Sequence, residues 1–213
     1  MKDRKLTKLK GYDYSQSGYY FVTICTRDRE EWFGKVEDGK MVFNEFGKIA
    51  SDFSAEIAAH FKYVGIDEFS VMPNHVHGIL IIEEGVGNAY MRSHQTNVRM
   101  RSHQRNAFMH SLQDRTKMLL SKIIQQYKAS VTRKINSLKS GFHFGWQKSN
   151  YDHVIRNDRS LDNLREYIIN NPLKWELDIE NRKGNSPHKN CMDYYGEIIG
   201  KRVGNAYMRS LQR

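Results

Sequence analysis

The strongest constraint on the fold of this chain is an apolar run from Phe69 to Ile82 that contains the sequence Pro-Asn-His-Val-His. A run of this length and composition predicts a β-strand that is covered on both faces. Because side chains alternate along a strand, His75 and His77 should lie on one face and Val76 on the other. Two imidazoles on one rigid face form half of a site for a divalent metal ion, although two structural histidines would give the same spacing.

Charge and composition limit the class of protein. The 213 residues include 34 Lys and Arg against 24 Asp and Glu, which gives a net charge of +10. Nucleic acid is the expected partner of so basic a chain, and a generally basic surface is the alternative. The two cysteines, Cys25 and Cys191, are far apart and predict no disulfide scaffold. Without a signal sequence or a long apolar run, we expect a cytoplasmic protein with no membrane partner.

Hydrophobic patterns predict alternating strands and helices. Strands are expected at 19–26, 63–74, 75–84 and within 142–155, and helices at 44–61, 114–138 and 160–171. Asp38 and Gly39 between two short apolar runs indicate a hairpin turn. Ser160 is the predicted N-cap of the last helix, which Pro172 ends. The order β-α-β-β-α-β-α predicts an α+β protein, the ferredoxin-like split βαβ sandwich, with an added C-terminal helix that carries Tyr167.

A short repeated sequence interrupts this pattern. The octapeptide at 88–95, Asn-Ala-Tyr-Met-Arg-Ser-His-Gln, returns in related forms at 97–104, 106–113 and 205–212. Such units are too short and too few for a solenoid, so we expect insertions outside the core, whose histidines are poor metal candidates. We divide the chain into a basic N-terminal arm (1–17), one domain (18–176) with a repeat-containing inserted linker (85–113), and a C-terminal tail with the last repeat (177–213).

The last predicted helix offers a second half of the candidate site. Tyr167 and Asn171 lie one turn apart on it. A tyrosine hydroxyl, with an ordinary pKa of about 10, becomes a usable nucleophile beside a metal-polarised phosphate. The amide oxygen of Asn171 offers a third ligand beside His75 and His77. Three neutral ligands without thiolate or carboxylate favour Mg²⁺ or Mn²⁺ over Zn²⁺. A structural tyrosine in the core is the alternative for Tyr167.

Several motifs resemble those of one family of enzymes. The segment Met-Pro-Asn-His-Val-His-Gly at 72–78 is similar to the HUH motif of single-tyrosine transposases. The segments 146–156 and 166–172, which read Trp-Gln-Lys-Ser-Asn-Tyr-Asp-His-Val-Ile-Arg and Glu-Tyr-Ile-Ile-Asn-Asn-Pro, resemble the branch associated with repetitive extragenic palindromes, the REP-associated tyrosine transposases. The resemblance extends over residues 5–176.

The resemblance implies metal-dependent cleavage and rejoining of single-stranded DNA, with hairpin DNA of the REP type as the substrate and a 5′-phosphotyrosine as the intermediate. It identifies Tyr167 as the nucleophile, and His75 and His77 as ligands of the metal ion, which the ligand set above predicts to be Mg²⁺ or Mn²⁺. Asn171 stands where insertion-sequence relatives have a glutamine ligand. His153 matches a family position to which we assign no chemical role.

Contacts to DNA phosphates are expected from the basic arm and from one residue at the end of a family motif. These residues are Arg4, Lys5, Lys8, Lys10 and Arg156. The sequence is compatible with a monomer and with a homodimer. Two other functions stand as alternatives: a non-catalytic ferredoxin-like protein that binds nucleic acid, and a domesticated transposase that only binds DNA.

Overall fold

The computed structural model describes residues 12–83, 119–138, 141 and 143–200. Its strands are β1 (Gly18–Cys25), β2 (Gly34–Glu37), β3 (Lys40–Phe43), β4 (Val64–Val71), β5 (His75–Ile82) and β6 (Tyr151–Ile155). Its α-helices are α1 (Glu45–His60), α2 (Leu119–Leu138), α3 (Asp158–Asn170) and α4 (Cys191–Ile198), and two short 3-10 turns lie at Arg27–Arg29 and Trp175–Leu177. Within these ranges, no helix has the length and apolar character of a membrane span.

Two sets of predicted features fall outside the described residues. They are the basic arm, with Arg4, Lys5, Lys8 and Lys10, and the four repeat units.

A four-stranded antiparallel sheet in the order β4-β5-β1-β6 forms the centre of the fold. Helix α1 connects β1 to β4 along the chain, and α2 precedes β6. This order of strands and helices is the ferredoxin-like split βαβ arrangement, so the predicted fold class is confirmed. The β2–β3 hairpin, which follows β1 and precedes α1 along the chain, forms a separate two-stranded sheet. In its turn, Asp38 and Gly39 both have left-handed φ angles, 49° and 69°, as the predicted Asp-Gly turn requires.

Helices cover both faces of the sheet. On one face, apolar residues such as Val22 and Leu80 pack with residues of α1 and α2. On the opposite face, Phe21 and Ile79 pack with residues of α3 and α4. Strand β5 lies between β4 and β1, and every one of its residues except Ile81 is buried. The prediction of a central strand covered on both faces is therefore confirmed.

Helix α3, which carries Tyr167, begins at a different residue from the one predicted. Its N-cap is Asn157, whose side-chain oxygen accepts a 2.9 Å hydrogen bond from the backbone N–H of Ser160. Ser160 lies inside the first turn, and its hydroxyl instead donates to the backbone oxygen of Ile199. The predicted Ser160 cap is therefore wrong. Asparagine also caps α1, at Asn44, and α4, at Asn190.

Residues 177–200, which the sequence assigned to a C-terminal tail, pack onto the α3 face of the sheet. Asp178 and Glu180 are buried, and α4 follows them. Tyr195 of α4 is also buried, and its ring stacks on Tyr151 of β6 with a centroid distance of 4.4 Å. The candidate site is thereby enclosed between the sheet, α3 and this segment.

Candidate active site

Strand β5 presents His75 and His77 to the same face of the sheet. Both side chains are 0% exposed, and their Nε2 atoms lie 2.8 Å apart. The Asp178 carboxylate completes a triangle, with Oδ2 at 4.0 Å from Nε2 of His75 and at 3.9 Å from Nε2 of His77. In the described part of the chain, this is the one cluster of three such groups whose ligand atoms lie within 4.8 Å of one another. A His-His-Asp cluster of this kind can hold a divalent metal ion.

The surroundings of the two rings fit a metal site. Nδ1 of His75 is 2.8 Å from Oδ1 of Asn74, and Nδ1 of His77 is 3.0 Å from Oγ1 of Thr23. Each outer nitrogen thus has a hydrogen-bond partner, which orients the Nε2 atoms toward each other and toward Asp178. Histidine ligands of metals are held by outer partners in the same way. Asn171 adds a buried side-chain oxygen, Oδ1, that has no hydrogen-bond partner among the described residues.

The ionisation states also suit a cation. Burial and the adjacent His77 lower the pKa of His75 to about 3, so this ring is neutral near pH 7. Burial alone would raise the pKa of Asp178, but the two neighbouring histidines and a hydrogen bond from Asn171 lower it below its ordinary value. The site therefore offers a neutral imidazole at His75 and an ionised carboxylate, which are the forms that bind metals.

Helix α3 places the hydroxyl of Tyr167 against this cluster. Its Oη lies 2.9 Å from Nε2 of His77 and donates a 2.9 Å hydrogen bond to Oδ2 of Asp178. Tyr167 is 6% exposed, and burial, with contributions from Tyr195 and Asp178, raises the pKa of its hydroxyl well above the ordinary value. The hydroxyl is therefore protonated in the metal-free protein.

Asn171 lies at the C-cap of α3 and contacts the carboxylate directly. Its Nδ2 donates a 2.6 Å hydrogen bond to Oδ2 of Asp178. The structure thus brings together all four residues that the sequence assigned to catalysis and metal binding: Tyr167, His75, His77 and Asn171. Asn171 orients Asp178, and its unpartnered Oδ1 is the atom that is available as a further ligand.

Asp178 is the member of the cluster that sequence reasoning missed. It lies between Leu177 and Ile179 in a segment without helical or strand periodicity. A single acid between two apolar residues, eleven positions after Tyr167, was the available signal. Zn²⁺ was disfavoured at the sequence level because the predicted ligands included no carboxylate. Asp178 supplies one, so the ligand set no longer separates Mg²⁺ or Mn²⁺ from Zn²⁺.

A second buried carboxylate anchors the segment that carries Asp178. Glu180 is 2% exposed and forms an ion pair with Nε of Arg29, which lies in the turn after β1. The thiol of Cys191 also donates to Glu180, over 3.4 Å. Asp28 and Arg29 have left-handed φ angles of 56° and 55°, a strained backbone that the surrounding contacts hold in place.

Two other residues singled out from the sequence, His153 and Arg156, lie in the described part of the chain but outside the His-His-Asp cluster. His153 is half-buried in β6, opposite Phe21 of β1 in the strand register. Arg156 is exposed directly after β6. The face that bears the histidines is also lined by Phe21, whose ring stacks on His77 with a centroid distance of 5.6 Å.

Comparisons with known proteins give a relative and two solved structures. No protein-family model matches the chain. A Haemophilus influenzae protein described as an uncharacterized protein is 35% identical over 178 residues, which are 82% of this chain and 91% of that protein. The structure of a REP-associated tyrosine transposase bound to a REP hairpin superposes with a TM-score of 0.50 and 18% identity, covering 80% of this chain and 74% of that one. The crystal structure of a putative transposase from Deinococcus radiodurans gives a TM-score of 0.40 and 15% identity, covering 76% of this chain and 97% of that one.

The fold described above is shared with the REP-associated tyrosine transposase. The Deinococcus radiodurans structure, with a TM-score of 0.40, is more distant. The Haemophilus protein is similar enough in sequence, and over enough of both chains, to establish a family relationship. This chain belongs to the same family as that Haemophilus influenzae protein.

Proposed function

We propose that this protein is a metal-dependent tyrosine transposase of the HUH type, which cleaves and rejoins single-stranded hairpin DNA through a 5′-phosphotyrosine. The observation that carries the proposal is the position of the Tyr167 hydroxyl, 2.9 Å from both His77 and Asp178 in a His-His-Asp cluster. A nucleophile beside a potential metal centre is the arrangement that phosphoryl transfer requires.

Residues of β5 and of the segment after α3 would hold the ion. His75, His77 and Asp178 supply three ligands, and Oδ1 of Asn171 is available as a fourth. A divalent ion bound there would neutralise charge on the scissile phosphate and polarise it. Mg²⁺ or Mn²⁺ is the proposed ion, and the ligand set is equally compatible with Zn²⁺.

Tyr167 performs the covalent step in this proposal. Its Oη forms a bond to phosphorus while the bond from phosphorus to the 3′ oxygen breaks. The phenolic proton passes to water, and the departing 3′ oxygen takes up a proton from water to become a free hydroxyl, so that the step is balanced in protons. Asp178 accepts the hydrogen bond from the phenol in the resting site, which aims the hydroxyl before attack.

The proposed substrate is single-stranded DNA that folds into a hairpin. The net charge of +10 suits a polyanion. The solved transposase that shares the fold is bound to a REP hairpin, which supports hairpin DNA as the substrate here as well. We further propose that Arg156 and the basic arm contact phosphates, and that the enzyme acts in the cytoplasm as a monomer or a homodimer.

Covalent trapping tests the proposal. The protein is incubated with a labelled REP-type hairpin that carries a single-stranded 5′ flank, separately with Mg²⁺, Mn²⁺ and Zn²⁺, and the products are resolved on a denaturing gel. We expect a metal-dependent protein–DNA adduct that Tyr167→Phe abolishes while hairpin binding persists. Tyr127→Phe is the matched control. It removes another buried tyrosine hydroxyl, which donates to the backbone of Ala50 among the apolar residues packed with α1 and α2.

Tyr194 provides a second control, because its ring lies 5.9 Å from that of Tyr167. A full adduct in Tyr167→Phe that disappears in Tyr194→Phe would assign the nucleophile to Tyr194 and overturn the assignment of Tyr167.

Binding of DNA without cleavage is the second candidate function. The observation that favours it is burial, because the His75 and His77 side chains are 0% exposed. Residues of the described segment 178–199 would have to move before a phosphate could reach Tyr167. Tight hairpin binding with no adduct in any of the three metals would support this function over the first. The aromatic residues of the four-stranded central sheet are buried or half-buried, so an open stacking platform on that sheet is not part of this function.

A further inference from the structure

The side chain of Asn74 joins three parts of the chain. Asn74 lies directly before β5 and is 1% exposed. Its Nδ2 donates hydrogen bonds to the backbone oxygens of Arg29, at 3.1 Å, and of Glu180, at 2.9 Å. Because backbone oxygens only accept, these two bonds fix the direction of the amide. Oδ1 therefore faces His75 and lies 2.8 Å from its Nδ1.

Glu180 extends this connection to Asp178. The backbone N–H of Glu180 donates a 2.7 Å hydrogen bond to Oδ1 of Asp178, while its backbone oxygen accepts from Asn74. The outer nitrogen of His75 and the outer oxygen of Asp178 are thus linked through one amide side chain and the main chain of one residue. We call the side chain of Asn74 and the main chain of Glu180 the Asn74 bridge.

The Asn74 bridge holds Asp178 by the oxygen that is turned away from the histidines. Oδ2 is the oxygen that lies 4.0 Å and 3.9 Å from the two Nε2 atoms, and it accepts hydrogen bonds from Tyr167 and Asn171. A cation at Oδ2 competes with those two donors. The donation from Glu180 to Oδ1 does not compete with a cation, so it can orient the carboxylate both before and after an ion binds.

Asp178 needs such support more than the histidines do. His75 and His77 lie on β5, whose register with β1 and β4 fixes their positions. Asp178 lies in an irregular segment between the 3-10 turn at Trp175–Leu177 and α4. A ligand on an irregular segment loses more conformational freedom when an ion binds, unless other contacts already hold it in place. The Asn74 bridge supplies such a contact from the residue directly before the strand that carries the histidines.

We propose that Asn74 is a positioning residue for the metal centre. Through the Asn74 bridge it holds the Asp178 carboxylate in register with His75, so that both ligands are in place before an ion binds. This role rests on the metal ligands of the proposed function and is independent of DNA cleavage. The effect passes through the main chain of Glu180, whereas the Glu180 side chain pairs with Arg29 and stabilises the segment.

Titration with Co²⁺ tests this role, because the visible spectrum of bound Co²⁺ reports the number and arrangement of its ligands. Asn74→Ala removes the bridge without removing a ligand. We expect its Co²⁺ affinity per folded molecule to be about tenfold to a hundredfold weaker than that of wild type, with an altered spectrum. Wild-type affinity and spectrum in Asn74→Ala would overturn the inference, as would a wild-type protein that binds no Co²⁺.

Asn181→Ala is the matched control for the loss of a buried asparagine. Asn181 lies in the same segment as Asp178, and its side chain bonds to the backbones of Trp175 and Lys183 instead of to a ligand. Asn181→Ala should reduce stability in urea and keep Co²⁺ affinity within about twofold of wild type. Glu180→Gln keeps the main chain of the bridge and should behave in the same way. Equal losses of affinity in Asn181→Ala and Asn74→Ala would assign the effect to general packing and overturn the role of Asn74.

A double-mutant cycle separates the support of Asp178 from the support of His75. In an Asp178→Ala background, Asn74 can act on the ligands only through His75. Adding Asn74→Ala there should weaken Co²⁺ binding by at most about threefold more. An equal loss in the wild-type and Asp178→Ala backgrounds would mean that Asn74 acts through His75 alone, and the bridge would be overturned.

Asn74→Asp provides the test if Asn74→Ala is unfolded by circular dichroism. The carboxylate keeps an oxygen beside His75 but replaces the donor nitrogen with a second oxygen, which faces the backbone oxygens of Arg29 and Glu180. We expect Co²⁺ affinity to fall by about tenfold, even though the added negative charge by itself favours a cation. Affinity equal to or above that of wild type would show that only the contact with His75 matters, which contradicts the proposal.

All of these measurements are made without DNA, so their failure differs from failure of the proposed function. The expected Co²⁺ results together with no DNA adduct would leave the role of Asn74 standing and defeat only the cleavage function. A metal-dependent adduct together with wild-type Co²⁺ binding in both Asn74 variants would defeat the role of Asn74 and leave the cleavage function standing.

Discussion

The two faces of the central sheet are built from the same strands but by different chemistry. On the α1–α2 face, β5 contributes Val76 and Leu80 to an apolar core. On the α3–α4 face, the alternate residues His75 and His77 enter a buried polar network with Tyr167 and Asp178. The apolar packing that stabilises the first face is non-directional. The polar network on the second face depends on hydrogen bonds of defined geometry. The comparison predicts that substitutions on one face change stability and substitutions on the other change chemistry.

The largest expected effect is the loss of catalysis on the polar face. His77→Ala removes one proposed ligand nitrogen and a contact of Tyr167. We expect the yield of covalent DNA adduct to fall by at least about a thousandfold, since the remaining ligands do not hold an ion in working geometry. The measurement is adduct formation at limiting Mn²⁺, and wild-type yield in His77→Ala would remove the metal from the mechanism.

Leu80→Ala on the apolar face should reduce stability and leave metal binding on the polar face unchanged. Leu80 is 1% exposed and lies in the core formed with α1 and α2. Truncation should lower the free energy of unfolding by about 3 kcal/mol, through lost apolar burial and the cavity that remains. Metal affinity per folded molecule should stay at the wild-type value. Urea denaturation and calorimetric titration measure the two quantities. A large loss of metal affinity with little loss of stability would show that the faces are not separable.

Two buried acids on the polar face allow a finer comparison. Asp178→Asn keeps the shape of a ligand candidate but removes its charge, and should weaken metal affinity by roughly tenfold to a hundredfold. Glu180→Gln alters the ion pair with Arg29 instead, and should reduce stability with little effect on metal affinity. Calorimetry with Mn²⁺ compares them. Equal losses of affinity would mean that Glu180 belongs to the metal centre.

Sequence reasoning worked where a feature is local and failed where it depends on the chain path. The apolar run around His75 predicted β5, and the Asp-Gly pair predicted the hairpin, because each signal lies within a few residues. The roles of Thr23, Asn74 and Asp178 depend on strand register and on the route of the segment after α3, which carries no periodic pattern. Helix α4 was missed because its eight residues are too few for a clear pattern. The Ser160 cap was wrong because Asn157, three residues earlier, is an equally good cap.

Acid should destabilise the metal-free protein through the polar face. The pKa of His75 is lowered to about 3 from an ordinary value of 6.5, so the unfolded chain binds a proton there before the folded protein does. Stability from this group is complete above about pH 6.5 and is lost as the pH falls toward 3, with a slope of up to about 1.4 kcal/mol per pH unit. The lowered pKa of Asp178 acts in the same direction at lower pH. Urea denaturation between pH 7 and pH 4.5 should show a smaller slope for His75→Gln. An equal slope would assign the pH dependence to other groups.

The smallest expected effect compares the starts of two helices on opposite faces. Asn44 caps α1 on the apolar side and Asn157 caps α3 on the side of Tyr167, and each accepts a 2.9 Å hydrogen bond from a backbone N–H. Asn44→Ala and Asn157→Ala should each lower the free energy of unfolding by about 1 kcal/mol. Neither should alter metal affinity, because the proposed ligands lie on β5 and in the segment after α3, away from both caps. Thermal denaturation and Mn²⁺ titration of the pair measure this. A loss of affinity confined to Asn157→Ala would show that the start of α3 positions the metal site, so that the polar face extends farther along this helix than its hydrogen bonds indicate.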